Sequence, residues 1–244
     1  METLALFFQY LLAKDFITFL KSGSASFSLR LSCFSLILIL MKKLILLFFS
    51  FFFLLLHPAF SQTSAKKILV LGDSLTEGYG IANDAAYPAL LEKKIQASGK
   101  KWTVINAGIS GSTTASGPAR LKWQLKSKPD LIILALGAND GLRGLDVQSI
   151  EKNLATTIEL AQKEKIKVIL AGMLLPPNYG ADYKKKFEDV YLRLIEKYKL
   201  QKIPFLLEGV AGKPELNLAD GIHPNEKGHQ IIAELVYKNI KDLL

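Results

Sequence analysis

At 244 residues, half of them hydrophobic and 22% charged, the chain can bury a sizeable core, which excludes a disordered or fibrous protein. A single cysteine excludes a disulfide framework and a thiolate-rich metal site. The net charge of +9 admits an anionic partner, but its lysines gather in patches such as 184–186 that suit solvated helix faces, and no nucleic-acid recognition module is visible.

The amino terminus reads as a targeting segment rather than fold. Met41-Lys42-Lys43 is a short basic region, residues 44–56 are apolar apart from Ser50, and Ala59-Phe60-Ser61 offers small residues for cleavage. That is the pattern of a secretory signal peptide over 41–61, with an apolar run too short to span a bilayer comfortably. Residues 1–40 then read as a spurious extension from an upstream start codon, and residues 62–244 as one domain. Cys33 falls ahead of the signal, so the exported part carries no thiol. The expectation is a periplasmic or secreted monomer, with at most transient contact with an anionic membrane surface.

From residue 62 onward, strand and helix patterns alternate. The apolar run 68–71 predicts a buried strand, followed by a helix over 87–97 with Pro88 in its first turn. A short strand over 103–106 and a short helix over 119–125 come next. Residues 131–136 are apolar on both faces and give the clearest strand; 147–163 has Ile150, Leu154, Ile158 and Ala161 at helical spacing. A strand over 167–173, a helix over 184–199, a strand over 204–207 and an amphipathic helix over 226–244 complete the pattern. Such alternation predicts an α/β fold, a parallel sheet covered on both faces as a three-layer α/β/α sandwich.

Polar clusters follow the strands: Gly72-Asp73-Ser74, Ser110-Gly111-Ser112, Asn139-Asp140 and, after the fifth strand, Asp220-Gly221-Ile222-His223-Pro224. A parallel sheet gathers such carboxyl ends on one edge, where ligands bind. Ser74 is there either as a nucleophile or as a helix N-cap. A serine nucleophile needs an adjacent base, and the domain offers only His223 and His229. His229 falls inside the last helix, which suits surface or capping duty. His223 lies in a turn fixed by Pro224, with Asp220 three residues earlier, a spacing that lets one loop present a carboxylate to one ring nitrogen while the other faces Ser74. The alternative is that Asp220 and His223 cap the last helix. Asn139, Gly111 and the Ser74 N–H are candidate donors to an oxyanion, although Asn and Gly in loops are more often turn residues.

Together, Gly-Asp-Ser74-Leu, Gly111 within Asn-Ala-Gly-Ile-Ser-Gly, Gly-Ala-Asn139-Asp and Asp220-Gly-Ile-His223-Pro resemble the four sequence blocks of the SGNH (GDSL) hydrolases. The resemblance runs over essentially all of 67–244 and is nearest the bacterial thioesterase I/lysophospholipase L1/arylesterase branch. It implies a flavodoxin-like five-stranded sheet of order 2-1-3-4-5, with Ser74 as nucleophile, His223 as base and Asp220 as its partner. It also implies an oxyanion hole of Ser74, Gly111 and Asn139, and no metal or organic cofactor. Ala138 stands where many members carry glycine. The expected activity is hydrolysis of small acyl esters, thioesters or a lysophospholipid through an acyl-Ser74 intermediate. Leu142, Leu145, Pro176 and Tyr179 are the expected walls of the substrate site. Two other readings stay open: a carbohydrate O-acetylesterase, and a non-catalytic flavodoxin-like module that binds a phosphate or nucleotide.

Overall fold

The computed structural model describes residues 27–55 and 65–244, with positions 10, 13, 14, 17, 18 and 21 besides. The chain divides into two units, Met1–Thr63 and Ser64–Leu244. In the first, helix α1 runs through Phe27–Leu55. The proposed cleavage residues Ala59, Phe60 and Ser61 lie outside the described residues, as does most of 1–26.

The second unit is built on a five-stranded parallel sheet of order β2-β1-β3-β4-β5, the order implied by the family resemblance. Its strands are β1 (Lys66–Gly72), β2 (Trp102–Gly108), β3 (Leu131–Ala135), β4 (Lys167–Ala171) and β5 (Gln201–Ile203). β1 and β3 are central, and their apolar runs are buried on both faces: Ile68, Leu69, Val70, Leu71, Ile133 and Leu134 are fully inaccessible. A strand covered on both sides cannot alternate polar with apolar, which is why these two were so readable.

The helices are α2 (Ser74–Glu77), α3 (Tyr87–Ala97), α4 (Gly117–Gln124), α5 (Ala138–Leu142), α6 (Val147–Lys163), α7 (Ala181–Tyr198) and α8 (Glu226–Ile240). Right-handed crossovers in this strand order place α3 and α8 together on one face, and α4, α6 and α7 in succession on the other. The result is the three-layer sandwich.

The fifth strand lies elsewhere than expected. Residues 204–207 are not strand; β5 is Gln201–Ile203, and the chain leaves the sheet at Pro204. Pro204 has no N–H for a ladder. Of the three strand residues only Ile203 is buried, because β5 is the sheet's edge. An edge strand with two polar residues leaves almost no apolar signal, whereas the apolar stretch after it is a loop held at the end of β4, where the Leu206 N–H donates to the Gly172 carbonyl at 3.0 Å.

His229 is not a surface residue, and the capping it performs is for another helix. It is 1% exposed, and its Nδ1 accepts the Tyr87 N–H at 3.1 Å, so α8 caps the first turn of α3 across the core. The cap is needed because Ala86, at the N-cap of α3, supplies no side-chain acceptor. Desolvation lowers the His229 pKa from 6.5 to about 4. The unfolded chain therefore takes up this proton first as pH falls, and the stability present above pH 6.5 is lost through pH 4. Urea unfolding across this range should show the parent losing about 3 kcal/mol relative to His229→Gln, whose side chain can still accept the Tyr87 N–H without titrating.

Candidate active site

The site starts where β1 ends. Gly72 must be glycine because a Cβ there would stand 1.9 Å from Thr76 Oγ1, so the chain turns back tightly against its own strand. Asp73, not Ser74, is the N-cap of α2, accepting the Leu75 N–H at 3.0 Å. Ser74 is the first helical residue, and its side chain is released from capping. The helix-cap reading of the serine thus passes to its neighbour.

The loop before α8 delivers the partners. It is pinned by the Leu218 N–H on the His223 carbonyl at 2.7 Å and by an antiparallel bridge between Asn217 and Pro224. Asn225 then caps α8 through the N–H groups of Lys227 and Gly228 at 3.0 and 3.1 Å. Neither Asp220 nor His223 is used as that cap. Instead His223 Nδ1 meets Asp220 Oδ2 at 2.7 Å, and His223 Nε2 meets Ser74 Oγ at 3.0 Å. The pairing assigns the ring proton to Nδ1, leaving Nε2 to accept the serine proton. Desolvation pulls the Asp220 pKa up, but hydrogen bonds from the His223 ring and from the His223 and Ile222 N–H groups outweigh it and hold the carboxyl at about 2. Across the neutral range Asp220 is an acceptor only.

Ser74 and Asn139 line one groove with His223. Gly111 lies outside that lining, in the turn beside it: Asn139 Nδ2 donates to the Ser112 carbonyl at 3.1 Å. Among the described residues, the N–H groups of Ser74 and Gly111 have no acceptor within the protein, so both are free to donate. Buried Asp140 fastens the two loops together by accepting the Thr114 N–H at 2.9 Å and the Thr114 hydroxyl at 2.6 Å.

The groove measures about 610 Å³, with walls of Leu142, Leu174, Pro176, Phe205, Leu207 and Ile222. Of the four residues expected as walls, Leu142 and Pro176 line this groove and Tyr179 and Leu145 do not. The Tyr179 hydroxyl donates to the Leu142 carbonyl at 3.0 Å, which makes it a support behind the wall, and Leu145 is 40% exposed to solvent. Phe205 and Leu207 were missed because the stretch they occupy reads as a strand. Tyr79 was missed as well: its ring lies 4.5 Å from that of His223, centroid to centroid. Its placement between Gly78 and Gly80, just after the serine helix, was the available signal.

Asp73 adds a buried charge next to the serine. It is fully inaccessible, and its Oδ2 has no hydrogen-bond partner among the described residues. Desolvation raises its pKa to about 6, against the opposing pull of the Leu75 and Asp73 N–H groups and the positive charges of His223 and Arg120. The folded state therefore holds this proton more tightly than the unfolded one. The associated stability is full below pH 3.8 and is lost as pH rises through 6. Compared with Asp73→Asn, the parent should gain stability as pH falls from about 6 toward 4, as measured by chemical denaturation at each pH; a constant difference would contradict this.

Residues 70–231 match the model of the GDSL-like Lipase/Acylhydrolase family. The arylesterase of Vibrio mimicus is 43% identical over 183 residues, covering 75% of this chain and 91% of that protein. The thioesterase 1/protease 1/lysophospholipase L1 of Escherichia coli is 38% identical over 186 residues, covering 76% of this chain and 88% of that protein. The crystal structure of TesA aligns with a TM-score of 0.71 at 40% identity, covering 73% of this chain and 100% of that one. The chain belongs to the GDSL-like lipase/acylhydrolase family, as a carboxylic ester hydrolase of its SGNH type.

Proposed function

We propose that the protein hydrolyses carboxylic esters and thioesters of short to medium acyl chains through an acyl-Ser74 intermediate. The observation that carries this reading is the continuous hydrogen-bonded line from Asp220 through His223 to Ser74, ending in an apolar groove. Ser74 Oγ attacks the acyl carbon while His223 Nε2 takes its proton. The negative charge formed on the carbonyl oxygen is received by the Ser74 and Gly111 N–H groups and by Asn139 Nδ2. Collapse expels the alcohol or thiol, which leaves with the proton from His223. Water, deprotonated by the same nitrogen, then attacks the acyl carbon and regenerates the serine. Asp220 holds the ring and balances the imidazolium at both stages.

The groove suits the tail of such a substrate, including that of a lysophospholipid, because its walls are mostly aliphatic. Each methylene removed from water contributes about 0.8 kcal/mol, so kcat/KM gains at most about fourfold per added carbon while the groove still has room. We read residues 41–61 as a cleaved signal peptide, which makes the active form periplasmic or secreted, and we read that form as a monomer that meets lipid surfaces only transiently. Mass spectrometry of the exported form should then find an amino terminus at Gln62.

On p-nitrophenyl esters from two to sixteen carbons, kcat/KM should rise from acetyl to a medium-chain optimum and then fall. A sharp optimum at acetyl would favour a carbohydrate O-acetylesterase instead. Ser74→Ala should lose at least about a thousandfold in kcat with its melting temperature nearly unchanged. Surviving activity would refute the acyl-serine mechanism.

A further inference from the structure

The proton line from Asp220 to Ser74 does not touch Gly111. That donor is held by a separate set of contacts. Residues 109–112 form a β-turn closed by the Ser112 N–H on the Ile109 carbonyl at 3.2 Å, with Gly111 at φ +75°. A positive φ at the third position, with Ser110 at negative φ, marks a type II turn, whose central peptide is rotated by about a half-turn relative to type I. The peptide concerned joins Ser110 to Gly111 and carries the Gly111 N–H, so the turn type decides which way this donor points.

Charged side chains grip the backbone on both sides of that peptide. Glu77 Oε2 accepts the Ser110 N–H at 2.6 Å and the Ser110 hydroxyl as well. Arg143 Nη2 donates to the Gly111 carbonyl at 3.1 Å. Glu77 is the last residue of the helix that begins at Ser74, and Arg143 is the C-cap of the helix that carries Asn139. The two grips therefore tie the Gly111 turn to both of the other donor-bearing segments. Each is a charge-assisted hydrogen bond to backbone, the stronger kind. Both side chains are exposed, so the core does not need them.

We infer that Glu77 and Arg143 are positioning residues for the oxyanion hole, holding the Ser110–Gly111 peptide so that the Gly111 N–H stays aimed with those of Ser74 and Asn139. The inference rests on the acyl-serine reading. Deleting a whole oxyanion donor costs about a hundredfold to a thousandfold in kcat, so loosening one should cost about tenfold.

The test measures kcat, KM and melting temperature on a p-nitrophenyl ester. It adds the inhibition constant of an alkylboronic acid, whose serine adduct is tetrahedral and anionic. In Glu77→Ala and Arg143→Ala, kcat should fall about tenfold and boronate affinity should fall in step, while KM stays within about twofold. Glu77→Gln, which keeps an acceptor for Ser110, should recover most of the loss at an unchanged melting temperature. If both alanine variants keep parental kcat while Ser74→Ala is inactive, the inference fails and the acyl-serine reading stands. A loss of kcat with boronate affinity unchanged also overturns it. Activity surviving in Ser74→Ala would instead overturn the reading on which it rests.

Discussion

The hydrogen bond between His223 Nε2 and Ser74 Oγ joins residues 149 positions apart in the chain. No local preference can create such a contact; it exists because the sheet holds the end of β1 and the loop before α8 at one edge. A shift of about an ångström would break it, since hydrogen-bond energy falls steeply beyond normal length. Much of the domain can be understood as what removes that freedom. β1 is locked between β2 and β3, Gly72 lets the chain fold back, Asp73 caps the helix, and the bridge from Asn217 to Pro224 closes the loop from the other side.

Two buried titratable groups near this arrangement oppose each other in acid. His229 makes the fold weaker as pH falls from 6.5 through 4, and Asp73 makes it stronger below about 6. Their windows overlap, so whole-protein stability conceals both, and only difference measurements against single variants separate them. They also serve unlike purposes. His229 satisfies the first turn of α3, whereas Asp73 keeps a carboxylate close to the imidazole that must become positive during turnover.

What could be read from sequence follows from how local each signal is. The buried strands β1 and β3, with the glycine-containing clusters after them, need only a run of apolar residues and a turn. The choice of His223 over His229 came from a carboxylate three residues away and a proline beside it, and the structure gives His229 a different task. β5 was misplaced because an edge strand has little to bury, and Phe205 and Leu207 were lost with it as groove walls. Tyr179 belongs to the same segment as the wall residue Pro176, but its hydroxyl is committed to a backbone carbonyl behind that wall, which sequence position does not reveal. Tyr79 beside the His223 ring, and the grip of Glu77 and Arg143 on the Gly111 turn, depend on tertiary placement alone.

The central claim is that Ser74 is the group acylated during turnover. It is tested most directly by treating the protein with a p-nitrophenyl alkylphosphonate, which phosphonylates an activated serine, and locating the adduct by peptide mass spectrometry. One adduct per chain is expected, on the peptide containing Ser74, formed in proportion to lost activity and far more slowly in His223→Ala. Full inactivation with the label on another residue, and Ser74 unmodified, would contradict it.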